Sequence, residues 1–420
     1  MSSQPPATAP RRGGGLRQVV QSVIAPRSSV WTSVLVVLLA FFTALVVSAV
    51  FIILSDPTVF SAPDLLTALG NAGQSVGTAY GALLSGAVGS PPVYASALTS
   101  GSPKEVAHAF YPLSETVVAA TPLVFTGLAV ALGFRAGLFN IGGEGQVIAG
   151  GLAAGYVGFS VHGLPGFIEL PLAVIAGFAA GALWGFVPGL LKARTGAHEV
   201  ITTIMLNYVG IFLTGYCLTT SVFQRPGRTD AISRIVDPGA VLPGLGAVNL
   251  RVNAGAILAI AMAVVVYFVL WRTVYGFEFR AVGANPEAAR VAGIGVGRTI
   301  MLAMSLAGGL AGLAGANIIL GIQYSIAPNF SSGLGFDGIT VALLGRGNPV
   351  GVVAAALLFG GLRAGAVQMQ AATSTPVDLV QVIEALVILF VAAPALVRAI
   401  FRLRTAPVSV APAVSPGWGS

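Results

Sequence analysis

A series of long apolar runs, separated by short polar segments, constrains this chain more than any other feature. The runs lie at about 30–54, 116–134, 142–161, 168–190, 200–222, 253–271, 300–320, 330–346, 350–368 and 378–397. About 20 apolar residues in helical conformation are enough to cross the hydrocarbon core of a bilayer. The chain is 55% hydrophobic and only 8% charged, far below the charge of a soluble domain. We therefore predict an all-α polytopic membrane protein with about ten transmembrane helices.

The ten runs divide into two sets of five, and an odd number of spans per set makes the two sets opposite in orientation. This layout predicts a five-plus-five inverted repeat with the transport pathway at the interface of the halves. A glycine- and asparagine-rich break follows the second run (FNIGGEGQ) and another follows the seventh (YSIAPNFSSGLGFD). Irregular backbone at membrane depth is tolerated where protein buries it or a polar cavity hydrates it. We therefore expect broken helices at both breaks.

The distribution of basic residues predicts the orientation of the spans. With the N-terminus inside, most of the 21 lysine and arginine residues fall on the cytoplasmic side, as the positive-inside rule requires. The main exceptions cluster in the loop 223–252. We predict a disordered cytoplasmic tail at 1–28, a transmembrane domain at 29–400 and a second cytoplasmic tail at 401–420. Within the transmembrane domain we expect an external insert at 55–115 and a cytoplasmic loop at 272–299.

The cytoplasmic loop contains a polar segment, GFEFRAVGANPEAARVAGIGVGR, with the signals of a short capped helix. An asparagine precedes a proline and a glutamate, which suit a helix N-terminus, and a glycine follows about two turns later. A capped helix between two spans lies at the membrane surface, where a soluble partner can press on it, although a solvated connector is the alternative. The residues that we assign to this contact are Arg280, Asn285, Pro286, Glu287, Arg290 and Gly293.

Polar residues inside the apolar runs are candidates for the lining of the pathway. Such residues are costly against lipid and are expected to face the bundle interior. The alternatives are a cytoplasmic turn for GLFNIGGEGQ, hydrogen bonds between helices for AHEVITTIMLNY, and a structural ion pair of Asp337 or Glu384 with Arg363. The candidate pathway residues are Asn140, Glu144, Gln146, Thr203, Asn207, Tyr208, Asn317 and Asp337.

The sequence argues against an enzyme. The segment AGIGVGRT lacks the first glycine and the lysine of a phosphate-binding loop, so we expect no hydrolysis of ATP by this chain. No catalytic Ser/His/Asp set is evident, we expect no bound metal, and Cys217 is the sole cysteine. The net charge of +7 is explained by cytoplasmic flanks and not by nucleic acid.

Four motifs together carry a resemblance to a known family. GLFNIGGEGQ, HEVITTIMLNY, RAVGANPEAARVAGI and GFDGITVALLGRGNPVG resemble the permease subunits of bacterial nucleoside and simple-sugar ABC importers. Those permeases belong to the wider branched-chain amino acid and ribose permease superfamily. The resemblance covers residues from about 115 to 400 and is closer to the nucleoside branch.

The resemblance implies a permease of the bacterial cytoplasmic membrane that moves nucleosides or related simple sugars. It implies a separate ATP-binding subunit, which holds the ATP and magnesium, a second homologous permease and an extracytoplasmic substrate-binding protein. It also implies that segment 280–294 is the coupling helix seated on the ATPase. An ion-coupled secondary transporter with the same layout is the alternative, as is a membrane scaffold without a transport role.

Overall fold

The computed structural model describes residues 30–245, 250–373 and 378–402. These residues are mostly helical, and the loops between the helices include two isolated β-bridges. The predicted tail 1–28 and all but two residues of the tail 401–420 lie outside the described residues. The helices of the first half are α1 (Val30–Ser55), α2 (Pro57–Phe60), α3 (Leu65–Val88), α4 (Pro91–Ser100), α5 (Pro103–Arg135), α6 (Gly143–Ser160), α7 (Gly166–Thr195) and α8 (Glu199–Thr219). Those of the second half are α9 (Ala254–Arg272), α10 (Val274–Ala284), α11 (Pro286–Val291), α12 (Val296–Ile318), α13 (Leu334–Leu344), α14 (Pro349–Thr373), α15 (Asp378–Ala392) and α16 (Pro394–Ile400).

Nine of the predicted spans each overlap one helix, and the span 378–397 is divided between α15 and α16, which confirms the all-α polytopic fold. Within the described ranges, seven helices are long and apolar enough to cross a membrane: α1, α5, α7, α8, α9, α12 and α14. The spans predicted at 142–161, 330–346 and 378–397 fall short of this. Helix α13 has 11 residues and rises only about 16 Å, so the eighth predicted span is a half-helix preceded by irregular backbone.

The packing of the helices follows the two predicted halves. Helices α5 and α12, the second and seventh predicted spans, are buried along most of their length. Helix α5 packs against α13 and α14, and α12 packs against α6 and α7 in the same way. The second helix of each half therefore contacts the third and fourth helices of the other, as expected of a five-plus-five repeat.

Glycine brings the backbones of α7 and α12 into direct contact. A Cβ atom on Gly181 would lie 2.3 Å from the carbonyl oxygen of Gly308, and one on Gly308 would lie 2.2 Å from that of Gly181. Small residues at such crossings allow transmembrane helices to associate through close packing. The abundance of glycine in the sequence thus serves helix association at the centre of the bundle.

The predicted insert at 55–115 is largely helical. Helix α3 packs along α14 and α5, and α5 begins at Pro103, well before the predicted start of the second span at 116. The helix therefore extends N-terminal of the predicted span and includes Pro112.

The loop between α8 and α9 folds over the segment that precedes α13. The main-chain N–H of Ser233 donates to the carbonyl oxygen of Ile326 at 2.9 Å, and the Ser233 hydroxyl accepts from the N–H of Ile326 at 2.7 Å. The loop's arginines bind within the fold, since Arg225 donates to the Ser233 carbonyl at 3.1 Å and Arg228 pairs with Asp230 at 2.6 Å. The Arg228 guanidinium lowers the pKa of the Asp230 carboxyl. Arg225 and Arg228 therefore have partners within the loop, which the number of basic residues on each side of the membrane does not reveal.

Candidate functional site

The two predicted breaks meet in the structure. Helices α6 and α13 begin at Gly143 and Leu334, and a Cβ atom on Gly335 would lie 2.1 Å from the main-chain nitrogen of Glu144. The N-terminus of one broken helix therefore rests directly on that of the other, at the contact between the halves of the chain.

Glu144 connects these two helix ends through its carboxylate. Its Oε1 accepts hydrogen bonds from the Ser331 hydroxyl at 2.5 Å and the Gly333 N–H at 3.1 Å, and its Oε2 accepts from the Gly335 N–H at 2.9 Å. The side chain is buried. A negative charge at the N-terminus of α13 also interacts favourably with the helix dipole. Glu144 thus caps a helix of the opposite half.

The neighbouring polar residues form a second buried network. Asn140 and Gln146 exchange side-chain hydrogen bonds of 2.9 and 3.2 Å. Asn207 accepts from the Gly145 N–H at 2.8 Å and donates to the Ile141 carbonyl at 3.0 Å. Both interactions fix the irregular backbone that leads into α6, so these amides hold the break in one conformation.

Thr203 and Tyr208 have different surroundings, although both were predicted to line the pathway. Thr203 is buried, and a Cβ atom on Gly142 would lie 2.9 Å from its Cβ. Tyr208 is 55% exposed and lies apart from the Asn207 network. The predicted face of Thr203 and Asn207 therefore packs on the break, whereas Tyr208 does not join it.

Asn317 belongs to a separate network at the other end of α12. Its side-chain amide donates to Asn253 Oδ1 at 3.2 Å, and Asn253 Nδ2 donates to the Gly321 carbonyl at 2.8 Å. Asn253 also caps α9 by accepting from the Gly255 N–H at 2.9 Å. Directly after α12 the chain is π-helical at Ile319–Gln323. The Gly321 carbonyl that accepts from Asn253 lies in this irregular turn.

Asp337 forms an ion pair with Arg363, and Glu384 lies on the same guanidinium at 3.6 Å. This arrangement ties α13, α14 and α15 together, and it realises the structural ion pair considered above for Asp337. Glu144, Asp337 and Glu384 therefore all have partners within the described part of the chain.

A cavity of about 290 Å³ lies beside these networks, close to the lower bound for small-molecule sites. It is bounded by α5, α14, the π-helical turn and the segments before α9 and α13. Its polar lining consists of Glu115, Arg251, Gln323, Ser332 and Arg363. None of the eight predicted pathway residues lines it directly. A larger cleft of about 470 Å³ between α9 and α14 has an almost wholly apolar lining.

The predicted capped helix is present as α11. Asn285 Oδ1 accepts from the N–H groups of Glu287 and Ala288, both at 3.0 Å, and Pro286 occupies the first turn. Arg290 pairs with Glu287 at 2.8 Å, and Gly293 adopts a left-handed φ of 84° just beyond the helix. The start and end signals in the sequence therefore predicted this helix correctly.

The helix before it, α10, was not predicted. Arg280 lies on α10 and donates to the Gly276 carbonyl of its own helix at 3.2 Å. A Cβ atom on Gly283 would lie 2.4 Å from the Arg135 carbonyl oxygen at the end of α5. The pair α10 and α11 thus contacts the turn that leads from α5 into the Asn140 network.

One side of α11 is exposed to solvent in the described part of the chain. Ala289 is its buried residue, while Val291 is 90% exposed beside the charged Glu287 and Arg290. An apolar residue flanked by charges is suited to a protein partner.

The chain matches the family described as the branched-chain amino acid transport system / permease component over residues 113–392. It is 44% identical over 291 residues to the guanosine ABC transporter permease protein NupP of Bacillus subtilis, which covers 69% of this chain and 83% of that protein. It is 38% identical over 288 residues to the glucose ABC transporter permease protein TsgB13 of Haloferax volcanii (67% and 76%). It is 28% identical over 254 residues to NupQ, a second guanosine ABC transporter permease protein of Bacillus subtilis (58% and 78%). No solved structure gives a significant match.

Two permeases of one organism, NupP and NupQ, both match this chain, as expected of an ABC system with paired permeases and an ATPase. The chain thus belongs to the branched-chain amino acid transport system / permease component family, and it is the non-catalytic permease subunit of an ABC importer in which a separate ATPase hydrolyses ATP.

Proposed function

We propose that this permease moves nucleosides across the bacterial cytoplasmic membrane, with simple sugars as the second candidate. The observation that carries the proposal is the 44% identity to a guanosine permease, against 38% to a glucose permease. Guanosine and glucose both carry vicinal hydroxyl groups and no net charge. The ligand is accordingly an uncharged molecule with a vicinal diol.

The proposed assembly contains this chain, a paralogous permease, an ATPase that holds the ATP and magnesium, and an extracytoplasmic binding protein that delivers the ligand. This chain binds no cofactor. The polar side chains at the two breaks belong to the translocation machinery. Because Glu144 caps α13 from the opposite half of the chain, relative motion of the halves would disturb both breaks together.

The segment of α10 and α11 is the proposed coupling site for the ATPase. Val291, Glu287 and Arg290 form its exposed contact surface. Closure of the ATPase dimer would press on α11, and the contact of Gly283 with the end of α5 would pass this movement to the break at Asn140.

Both termini are proposed to be cytoplasmic, on the basis of the positive-inside rule. Single cysteines test this orientation after Cys217→Ser removes the sole native thiol. Ala231→Cys in the loop before α9 and Ala288→Cys in α11 are both at exposed positions. A membrane-impermeant maleimide applied to intact spheroplasts should label the first and not the second. Labelling of Ala288→Cys without permeabilisation would reverse the orientation.

Uptake of radiolabelled guanosine, uridine, adenosine and glucose tests the transport proposal. Cells with and without this chain are compared, each with the ATPase intact or with its phosphate-binding lysine mutated. Loss of nucleoside uptake in both the deletion and the ATPase mutant supports the proposal. Uptake of glucose alone would assign the sugar, and uptake that survives the ATPase mutation would contradict an ATP-driven step.

A further inference from the structure

Both guanidinium groups that line the cavity beside α5 are paired with carboxylates. Glu115 Oε2 accepts from the Arg251 guanidinium at 3.0 Å. Arg363 is shared by Asp337 and Glu384. Three carboxylates therefore accompany two guanidinium groups, so the cavity carries no surplus positive charge to receive a phosphate or a carboxylate ligand.

One polar atom in the cavity wall lacks a partner. Glu115 Oε1 is buried and has no hydrogen-bond donor among the described residues. Leaving such an acceptor unpaired is unfavourable, and a ligand hydroxyl can pair with it after a small rotation of the carboxylate. Carboxylates bind ribose hydroxyls in this manner in dinucleotide sites.

The remaining wall suits a flat apolar surface. Ile318, Ile322 and Phe330 line the cavity together with aliphatic groups of α5 and α14. Sites of this composition bind small ligands that have one apolar face and one hydrogen-bonding edge.

We propose that this cavity is a ligand-binding subsite within the permease, in which Glu115 accepts hydrogen bonds from the vicinal diol of an uncharged nucleoside. The proposal rests on the function proposed above. The base lies against Phe330 and Ile322, and the hydrogen bond from Arg251 orients the Glu115 carboxylate. Phosphorylated nucleosides are excluded because the guanidinium charges of Arg251 and Arg363 are already matched by carboxylates.

Direct binding tests the subsite, because uptake also depends on the ligand-delivery protein. The complex of this chain with its second permease and ATPase is placed in lipid nanodiscs without binding protein, and equilibrium dialysis measures the Kd of radiolabelled guanosine. We expect unmodified protein to bind guanosine about tenfold more tightly than 2′,3′-dideoxyguanosine, the ratio that one charge-assisted hydrogen bond provides. This comparison requires no variant. An excess of guanosine monophosphate should not displace guanosine.

The variant Glu115→Gln should weaken guanosine binding about tenfold and abolish the preference over the dideoxy ligand. Its matched control is Glu105→Gln, which changes an exposed glutamate near the start of the same helix. This control should leave the Kd of guanosine and the preference over the dideoxy ligand unchanged. Equal binding of the two ligands by unmodified protein, retained preference in Glu115→Gln, or displacement by the monophosphate would each overturn the subsite. If cells import guanosine but the complex binds none, the subsite fails and the proposed function stands.

Discussion

Glu144 Oε2 lies 2.9 Å from the main-chain nitrogen of Gly335, a residue 191 positions later in the chain. The carboxylate that opens α6 therefore caps α13, so the first turn of α13 depends on the other half of the chain. In a helix that starts inside a bilayer, the free N–H groups have no water to bind. At the start of α13, a carboxylate from the opposite half accepts hydrogen bonds from two such groups, those of Gly333 and Gly335.

Removal of this cap should destabilise the protein. In Glu144→Ala, the N–H groups of Gly333 and Gly335 and the Ser331 hydroxyl lose their acceptor, and we expect a loss of about 3 kcal/mol in the free energy of unfolding. Thermal unfolding of the purified protein in detergent measures the change. The control Glu105→Ala removes an exposed glutamate and should unfold with the parent protein. Equal melting of Glu144→Ala and the control would contradict the capping role.

The crossing of α7 and α12 should not accept a side chain at Gly181. In Gly181→Val the Cβ atom would lie 2.3 Å from the carbonyl oxygen of Gly308, and because backbone cannot move aside cheaply we expect a loss of about 3 kcal/mol. The matched control is Gly215→Val, since a Cβ atom on Gly215 in α8 has no neighbour within 4 Å. The yield of monodisperse protein by gel filtration distinguishes the two. A normal yield for Gly181→Val would mean that the helices do not approach as described.

Local features of the structure could be predicted from the sequence, and long-range ones could not. Helix α11 was predicted because Asn285, Pro286 and Gly293 act on their immediate neighbours. Helix α10 was missed because its Gly276 and Gly283 suggest a turn, whereas the structure uses them for close contact with the ends of α9 and α5. The glycines permit tertiary packing there, and this packing is not visible in a local pattern.

The candidate site shows the same division. The break at Glu144 was predicted from its glycines, but the acceptor role depends on residues 187 to 191 positions away. Glu115 and Arg251 were not selected at all, since they are separated by 136 positions and each looks like an ordinary loop charge. Their shared cavity exists only through the packing of α5 beside the segment before α9.

The exposed surface of α11 should be required for coupling. The double variant Asn285→Ala, Arg290→Glu removes the cap of α11 and reverses an exposed charge, so we expect ATP hydrolysis to continue while uptake of labelled guanosine falls. The control is Arg228→Glu, which reverses another exposed, ion-paired arginine in the loop before α9. Phosphate release and uptake are measured in the same proteoliposomes, with the binding protein added. Full transport by the double variant would exclude α11 from coupling.

The contact of α10 with the end of α5 should transmit the movement of α11 to the break. In Gly283→Ala the added methyl group would lie 2.4 Å from the Arg135 carbonyl oxygen, which separates α10 from the turn that leads to Asn140. We expect the guanosine transported per ATP hydrolysed to fall about fivefold, the lower range of coupling energies between sites. The control Gly297→Ala adds the same methyl group at the start of α12, where its nearest neighbour would be 3.5 Å away. Since both variants keep the exposed residues of α11, both should still bind the ATPase in co-purification. A Gly283→Ala complex that transports as efficiently as Gly297→Ala would show that coupling bypasses this contact.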